Sequence, residues 1–310
     1  MALLTRKSLI LAKIESTYGS DPTPTTSADA IVAYDVEIKP TIEPLERPDM
    51  GISLSRQKEL GGIRKCEVTF MTEIRGSGTA GTPPQGIDAL LKACGMSVTN
   101  VPATSDTYKF LSATFPSVTI YVYKDGLQHQ VQGCVGNWEL VLEAGQTPKI
   151  NWTFMGLYET PTDVTFPTSY TVPSTVPVVG KGYTITYDSV SIVARSLKLS
   201  SNNEIVERPD LAAATGIAGF QIVDRNPEGT LLIEAVLLAT KNWLTDFEAD
   251  TVNVLSCVIG ATAGNIFTIT ASQCRLRNMN YQDLDGIVGH EFPIQLARSS
   301  ANDEITLVHT

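Results

Sequence analysis

The sequence predicts a mainly β chain made of two tandem units, each a β-sandwich or partly closed barrel with one short helix. Three observations carry this reading. The tetrapeptide Glu46-Arg47-Pro48-Asp49 returns 161 residues later as Glu207-Arg208-Pro209-Asp210, the separation of one ordinary domain and not of a short solenoid repeat. Segments that alternate apolar and polar residues recur along the chain, the clearest being 117–123, and period 2 is the signature of a half-buried strand. Each tetrapeptide is followed by a strand-like segment (65–71, 229–235) and then a short helical one (86–94, 241–248).

Composition sets the limits. The 310 residues leave room for two domains, each able to bury a core without disulfides. Hydrophobic content of 43% and a mean hydropathy of +0.03 exclude general disorder. Cys66, Cys94, Cys134, Cys257 and Cys274 are odd in number and contain no Cys-x-x-Cys pair; they read as reduced core residues of a chain that folds in a cytoplasm. The apolar run 9–12 is cut off by Lys13 and Glu15, too short for a secretory leader. No run reaches the ~20 apolar residues that span a bilayer, so no membrane partner is expected. The net charge of −10 divides into −4 over residues 1–170 and −6 over 171–310. Basic groups are modest, Arg64-Lys65 and Arg275 with Arg277, which argues against stable nucleic-acid binding but not against passing contact.

Taken in order, residues 1–28 open with an amphipathic stretch, Leu9 to Ile14, and continue through a Pro/Thr segment that cannot be helical. They predict an N-terminal arm ordered only by a partner. The first unit, 29–160, contains the strand 117–123, a hairpin turn at Lys124-Asp125-Gly126 and a return strand 127–134, since Asp-Gly supplies the positive φ of a tight turn. The stretch 137–143 alternates, with Trp138, Leu140 and Leu142 on one face and Asn137, Glu139, Val141 and Glu143 on the other. One face is core and the other meets water or a subunit. After a turn at 144–148, strand 149–156 follows. Prolines 161, 167, 173 and 177 mark 161–183 as a linker.

In the second unit, 184–310, Tyr187-Asp188 matches the earlier Tyr34-Asp35, Asp283 to Gly286 forms a turn, and the closing strand 291–298 parallels 149–156. Pro293 puts that strand at an edge or at its own start. The polar segments 50–64 and 211–220 are long for a compact domain, which marks them as functional or awaiting a partner.

Motifs for chemistry are weak. Gly76-Ser77-Gly78-Thr79-Ala80-Gly81 matches a dinucleotide fingerprint in form, but Pro83-Pro84 separates it from the following helix, so a flexible loop is expected. His129, His290 and His309 lack metal-ligand spacing. Asp283-Leu284-Asp285-Gly286 lacks the rest of a calcium loop and reads as a turn. No nucleophile elbow and no phosphate-loop lysine occurs. Neither a cofactor, nor a metal, nor an enzyme is expected.

The stretch from Ser117 to Tyr158 resembles the major tail tube proteins of long-tailed, non-contractile bacteriophages. The resemblance lies in Thr119-Ile120-Tyr121-Val122-Tyr123-Lys124-Asp125-Gly126, Gly133-Cys134-Val135-Gly136-Asn137, Leu142-Glu143-Ala144-Gly145-Gln146-Thr147-Pro148-Lys149 and Phe154-Met155-Gly156-Leu157-Tyr158. Residues 10–22 are similar to that family's arm. It covers about the first half; the second half joins through the internal echo.

The resemblance implies two tandem tail-tube-like domains whose sheets join side by side into a ring, and rings that stack into a tube for DNA ejection. With two domains per chain, a homotrimeric ring of pseudo-six-fold symmetry is expected. Implied partners are the chain itself, the tape measure protein, the tail terminator and the distal tail proteins, with DNA passing through without stable binding. The implied location is the virion tail, assembled in the host cytoplasm.

Under this reading Glu139 and Glu143 are candidates for the lumen, with a solvated exterior position equally open. Met50, Arg56, Lys58, Leu211 and Thr215 are candidates for contacts between rings. Arg47, Asp49, Arg208 and Asp210 form the structural signature. Two other readings stay open: a duplicated β-sandwich binding module such as a lectin or adhesin, and the tube component of a secretion system.

Overall fold

Strands hold 51% of the residues and helices 4% in the computed structural model, which describes residues 3–310. The sheets do not close into a barrel, so of the two expected architectures the chain takes the sandwich. The elements are β1 (Ser8–Ile14), β2 (Ala30–Ile31), β3 (Tyr34–Leu45), β4 (Leu60–Glu73), α1 (Ile87–Ala93), β5 (Met96–Val101), β6 (Ser105–Phe110), β7 (Val118–Lys124), β8 (Leu127–Glu143), β9 (Lys149–Tyr158) and β10 (Thr162–Asp163). They continue with β11 (Thr184–Tyr187), β12 (Val190–Ser191), β13 (Ala194–Ser200), β14 (Asn203–Pro209), β15 (Ile217–Arg225), β16 (Glu228–Glu234), α2 (Trp243–Glu248), β17 (Val252–Ile259), β18 (Phe267–Leu276), β19 (Asn280–Leu284), β20 (Ile287–Ala297) and β21 (Thr306–His309).

All pairings are antiparallel, and the same strand order occurs twice. Hydrogen bonding runs β3-β4-β9-β8-β7-β1-β2 in the N-terminal half and β13-β16-β20-β18-β17-β11-β12 in the C-terminal half. Each half folds into two layers because one long strand passes between them. In the first half β8 pairs with β7 near its start and with β9 near its end, with a register shift in between. In the second half the same path is broken into β18 and β19, and β19 pairs with the start of β20.

The core lies between the layers. Phe154 of β9 stacks about 6 Å from both Phe70 of β4 and Trp152 of β9, in the same cluster as Ile10, Ile120 and the helical Leu90 and Leu91. On α2, Asn242 Oδ1 accepts the Thr245 N–H at 3.2 Å, an N-cap bond. The cap aims Trp243 into the core, where it packs between Tyr187 and Phe292 at 5.2 Å from each. All five cysteines are free and buried, and burial pushes the thiols of Cys66, Cys257 and Cys274 up to about 12. The turn Asp125-Gly126 has φ of 42° and 98°, and Asp285-Gly286 has 57° and 89°, the left-handed pair that a two-residue hairpin requires.

Several expectations change. The proposed arm, of which residues 1 and 2 lie outside the described residues, contains a central strand: β1 pairs with β7 over its whole length, and Leu9, Ile10, Leu11 and Ala12 are buried. The following Pro/Thr segment is tied to the body through Glu15 and Tyr18. Residues 161–183 have little regular structure, yet Val164, Phe166 and Val172 pack against the Leu9–Leu11–Tyr121–Tyr123 cluster.

The glycines at 76–81 do not form a loose loop. A Cβ on Gly76 would sit 2.0 Å from the Gly264 carbonyl oxygen, and Gly78 N–H donates to that same oxygen at 2.9 Å; glycine is needed for two backbones to meet there. Tyr34 opens β3 whereas Tyr187 ends β11, so those two tyrosines do not hold equivalent places.

Candidate assembly interface

The two strand sets meet in one continuous sheet. The end of β8 pairs with β13 in the register Glu143↔Ser196, Leu142↔Leu197, Val141↔Lys198, Leu140↔Leu199 and Glu139↔Ser200. The front sheet therefore has eight strands in the order β3-β4-β9-β8-β13-β16-β20-β19. Leu140, Leu142, Leu197 and Leu199 are buried on its core side, because alternation along both strands puts every second side chain inward. A second tie runs through the back layer, where β21 bridges β6 and β18. At its end His309 is fully buried, with Nδ1 3.1 Å from Asp106 Oδ2 and Nε2 3.0 Å from the Gly264 carbonyl.

Polar locks hold the internal joint. Asn137 Oδ1 accepts the Asn203 N–H at 2.5 Å and the Ser201 hydroxyl at 3.0 Å, while its Nδ2 donates to the Asn203 carbonyl at 3.0 Å. Beyond Asn203 the chain leaves the front sheet as the hairpin β14–β15, which lays Ile217, Phe220 and Ile222 over Val135, Met155 and Leu157. Tyr18 pins this hairpin down: its hydroxyl donates to the Gly133 carbonyl at 2.9 Å and accepts the Phe220 N–H at 2.7 Å. Burial pushes that phenol up to about 12. Lys65 bonds Glu207 of this hairpin and Glu43 of β3, and both carboxylates raise its pKa, Glu207 the more.

The outward face of the front sheet is polar. Glu139 lies half-buried there, accepting from Asn151 Nδ2 at 2.9 Å, and Glu143 is exposed; both stand at the internal joint, opposite Ser200 and Ser196. The face also carries Lys39, 3.3 Å from Glu37 and 3.6 Å from Glu67, and Arg195, 3.4 Å from Glu234. Acidic groups are thus partly matched by bases and do not form an unbroken negative wall.

The other sequence candidates sit at the tips of the hairpins. Met50 and Leu211 are fully exposed, as are Ile52 and Leu54, and Arg56 and Lys58 are exposed beside them. Thr215 is half-buried: its carbonyl accepts the Arg64 N–H at 3.0 Å and its hydroxyl donates to the Ile217 carbonyl. Arg47 and Asp49 lie in the loop after β3, where Asp49 accepts from Gln57 Nε2 at 2.9 Å. Arg208 ends β14 with Pro209, and Asp210 caps the turn by accepting the Ala212 N–H at 2.9 Å. One signature follows the end of β3 and the other runs through the end of β14, and the structure gathers the two hairpins side by side through the Lys65–Glu207 pair. The locks Asn137 and Tyr18 and the strand edges escaped the sequence reading. The recurrence of Asn137 as Asn278, three residues before Leu140 and Tyr281, was the available signal.

Among the described residues no group of three or more His, Cys, Asp or Glu side chains could hold a metal, and no helix is long and apolar enough to cross a membrane. What the fold offers is sheet edges and hairpin tips, the equipment of a protein that assembles. The sequence model of the phage tail tube protein family matches residues 5–305, and the chain belongs to that family. It is therefore a structural component of a virion tail that self-assembles into stacked tubes, a role that points away from catalysis. No curated protein matches the chain.

Proposed function

We propose that the chain is a duplicated tail tube protein of a long-tailed, non-contractile phage: three copies close into a ring of pseudo-six-fold symmetry, and stacked rings form the conduit through which DNA is ejected. One observation carries this reading. The chain already joins two like-ordered strand sets edge to edge through β8 and β13, and among the described residues β3 and β19, the outer strands of the same sheet, pair with nothing beyond β4 and β20. An edge of this kind invites further pairing, and a ring is the arrangement that leaves none open.

Stacking has its own support. Met50, Ile52, Leu54 and Leu211 project at one end of the strands; Val193, Leu237, Leu238 and Val288 are exposed at the opposite end. Apolar groups at two different ends suit a head-to-tail contact, which repeats without closing. The polar outward face of the front sheet becomes the wall of the conduit, and its carboxylates without a basic partner among the described residues, Glu139 and Glu143 included, repel phosphates over about one Debye length, ~8 Å at physiological salt. The tape measure, terminator and distal tail proteins complete the tail, and assembly takes place in the host cytoplasm. Electron microscopy of the purified protein tests the reading: rings and tubes are expected, and monomeric globules at every concentration would overturn it.

A further inference from the structure

We propose that copies join through β19 of one chain and β3 of the next in the register of the internal joint, and that Asn278 grips the neighbouring copy as Asn137 grips β13 and β14 within the chain. This rests on the ring reading above and adds to it a residue-level seam.

Equivalence of the strands follows from their pairings. In one half Leu140 pairs with Ile150, and Ile150 with Thr72. In the other Tyr281 pairs with His290, and His290 with Ile233. Thr72 and Ile233 are separated by the same 161 residues as the two Glu-Arg-Pro-Asp copies, so Tyr281 holds the place of Leu140. Ile38 pairs with Val68 and Leu199 with Gly229, again 161 apart, so Ile38 holds the place of Leu199. Within the chain Leu140 faces Leu199. Between chains Tyr281 therefore faces Ile38, Gln282 faces Glu37, and Asn280 faces Lys39. Tyr281 is 68% exposed in the free chain, and Ile38 is half-buried against the core, so the seam covers apolar surface that the chain alone leaves wet.

Asn278 is the independent sign. It stands three residues before Tyr281, as Asn137 stands before Leu140. Asn137 uses its whole amide on Asn203 and Ser201, whereas among the described residues the Asn278 amide bonds only its neighbours Met279 and Asn280 and is exposed. By the same 161-residue offset the backbone it meets is that of Ile42. The seam is weaker than the internal joint: Pro40 replaces Ser201, removing both its hydroxyl and the N–H that bonds the Trp138 carbonyl at 3.1 Å. Rings should open between chains and not within them.

The test is a cysteine pair on the exposed positions Glu37 and Gln282 in the full chain, oxidised mildly after assembly. Directly opposite Cβ atoms lie within about 5.5 Å and diagonal ones about 7–8 Å apart, so E37C/Q282C should give disulfide-linked dimers and closed trimers, and the slipped pair K39C/Q282C should give few. Rings without cross-links in the first pair, or equal yields in both, overturn the register and leave the tube reading standing; no rings at all overturns the tube reading and this seam with it. Asn278→Ala should raise the concentration needed for assembly about tenfold with an unchanged thermal midpoint. Assembly as in the native chain would remove Asn278 from the seam.

Discussion

Glu15 shows how much one side chain can organise. Its carboxylate is buried and accepts from Ser117 Oγ and Thr119 Oγ1 at 2.6 Å and from the Gly133 and Gly19 N–H groups at 2.7 Å, fixing the end of β1 to the bend of β8. Glu15→Ala leaves those donors without partners and should cost about 3 kcal/mol, read from urea unfolding of the monomer. His290 titrates in the opposite sense to a stabilising ion pair. Burial holds its imidazole below the ordinary range, as burial and then Lys124 do for His129. The folded imidazole stays neutral where the unfolded one takes up a proton, so stability is lost as pH falls below about 6.5. His290→Gln should flatten the pH dependence of the urea midpoint between pH 7 and 5.5; an unchanged slope would contradict this. Replacing Glu139 and Glu143 together by Lys should slow DNA ejection from virions carrying the variant, and normal ejection kinetics would remove them from the conduit wall.

At the scale of elements, what the sequence revealed was what is local. The Asp125-Gly126 turn and the alternation of Trp138, Leu140 and Leu142 depend on neighbours in sequence, and both stand in the structure as read. β1 was misread because its partner β7 lies more than a hundred residues away, and the Pro/Thr segment between β1 and β2 disguises a core strand as a tail. The glycines at 76–81 were misread for the same reason, since the backbone that requires them is Gly264. Tip loops were legible as long and polar, but Thr215 turned inward because Arg64 needed an acceptor.

Replacing 47–58 with Asn-Gly keeps the Leu45↔Leu60 register. The unfolding midpoint should be unchanged while tubes are lost and rings remain. Tubes of normal length would contradict the role of the loop.

At the scale of the whole molecule, the internal joint is a built example of the contact that the free edges lack. Its two Leu–Leu pairs, the Asn137 grip and the Tyr18 pin make the two strand sets one body, and a core cluster runs through both. The most direct test is a symmetry-resolved electron-microscopy reconstruction of the assembled tube. Three chains per ring are expected, with β19 of each hydrogen-bonded to β3 of the next; six chains per ring, or a tube in which those two edges stay uncovered, would contradict this arrangement.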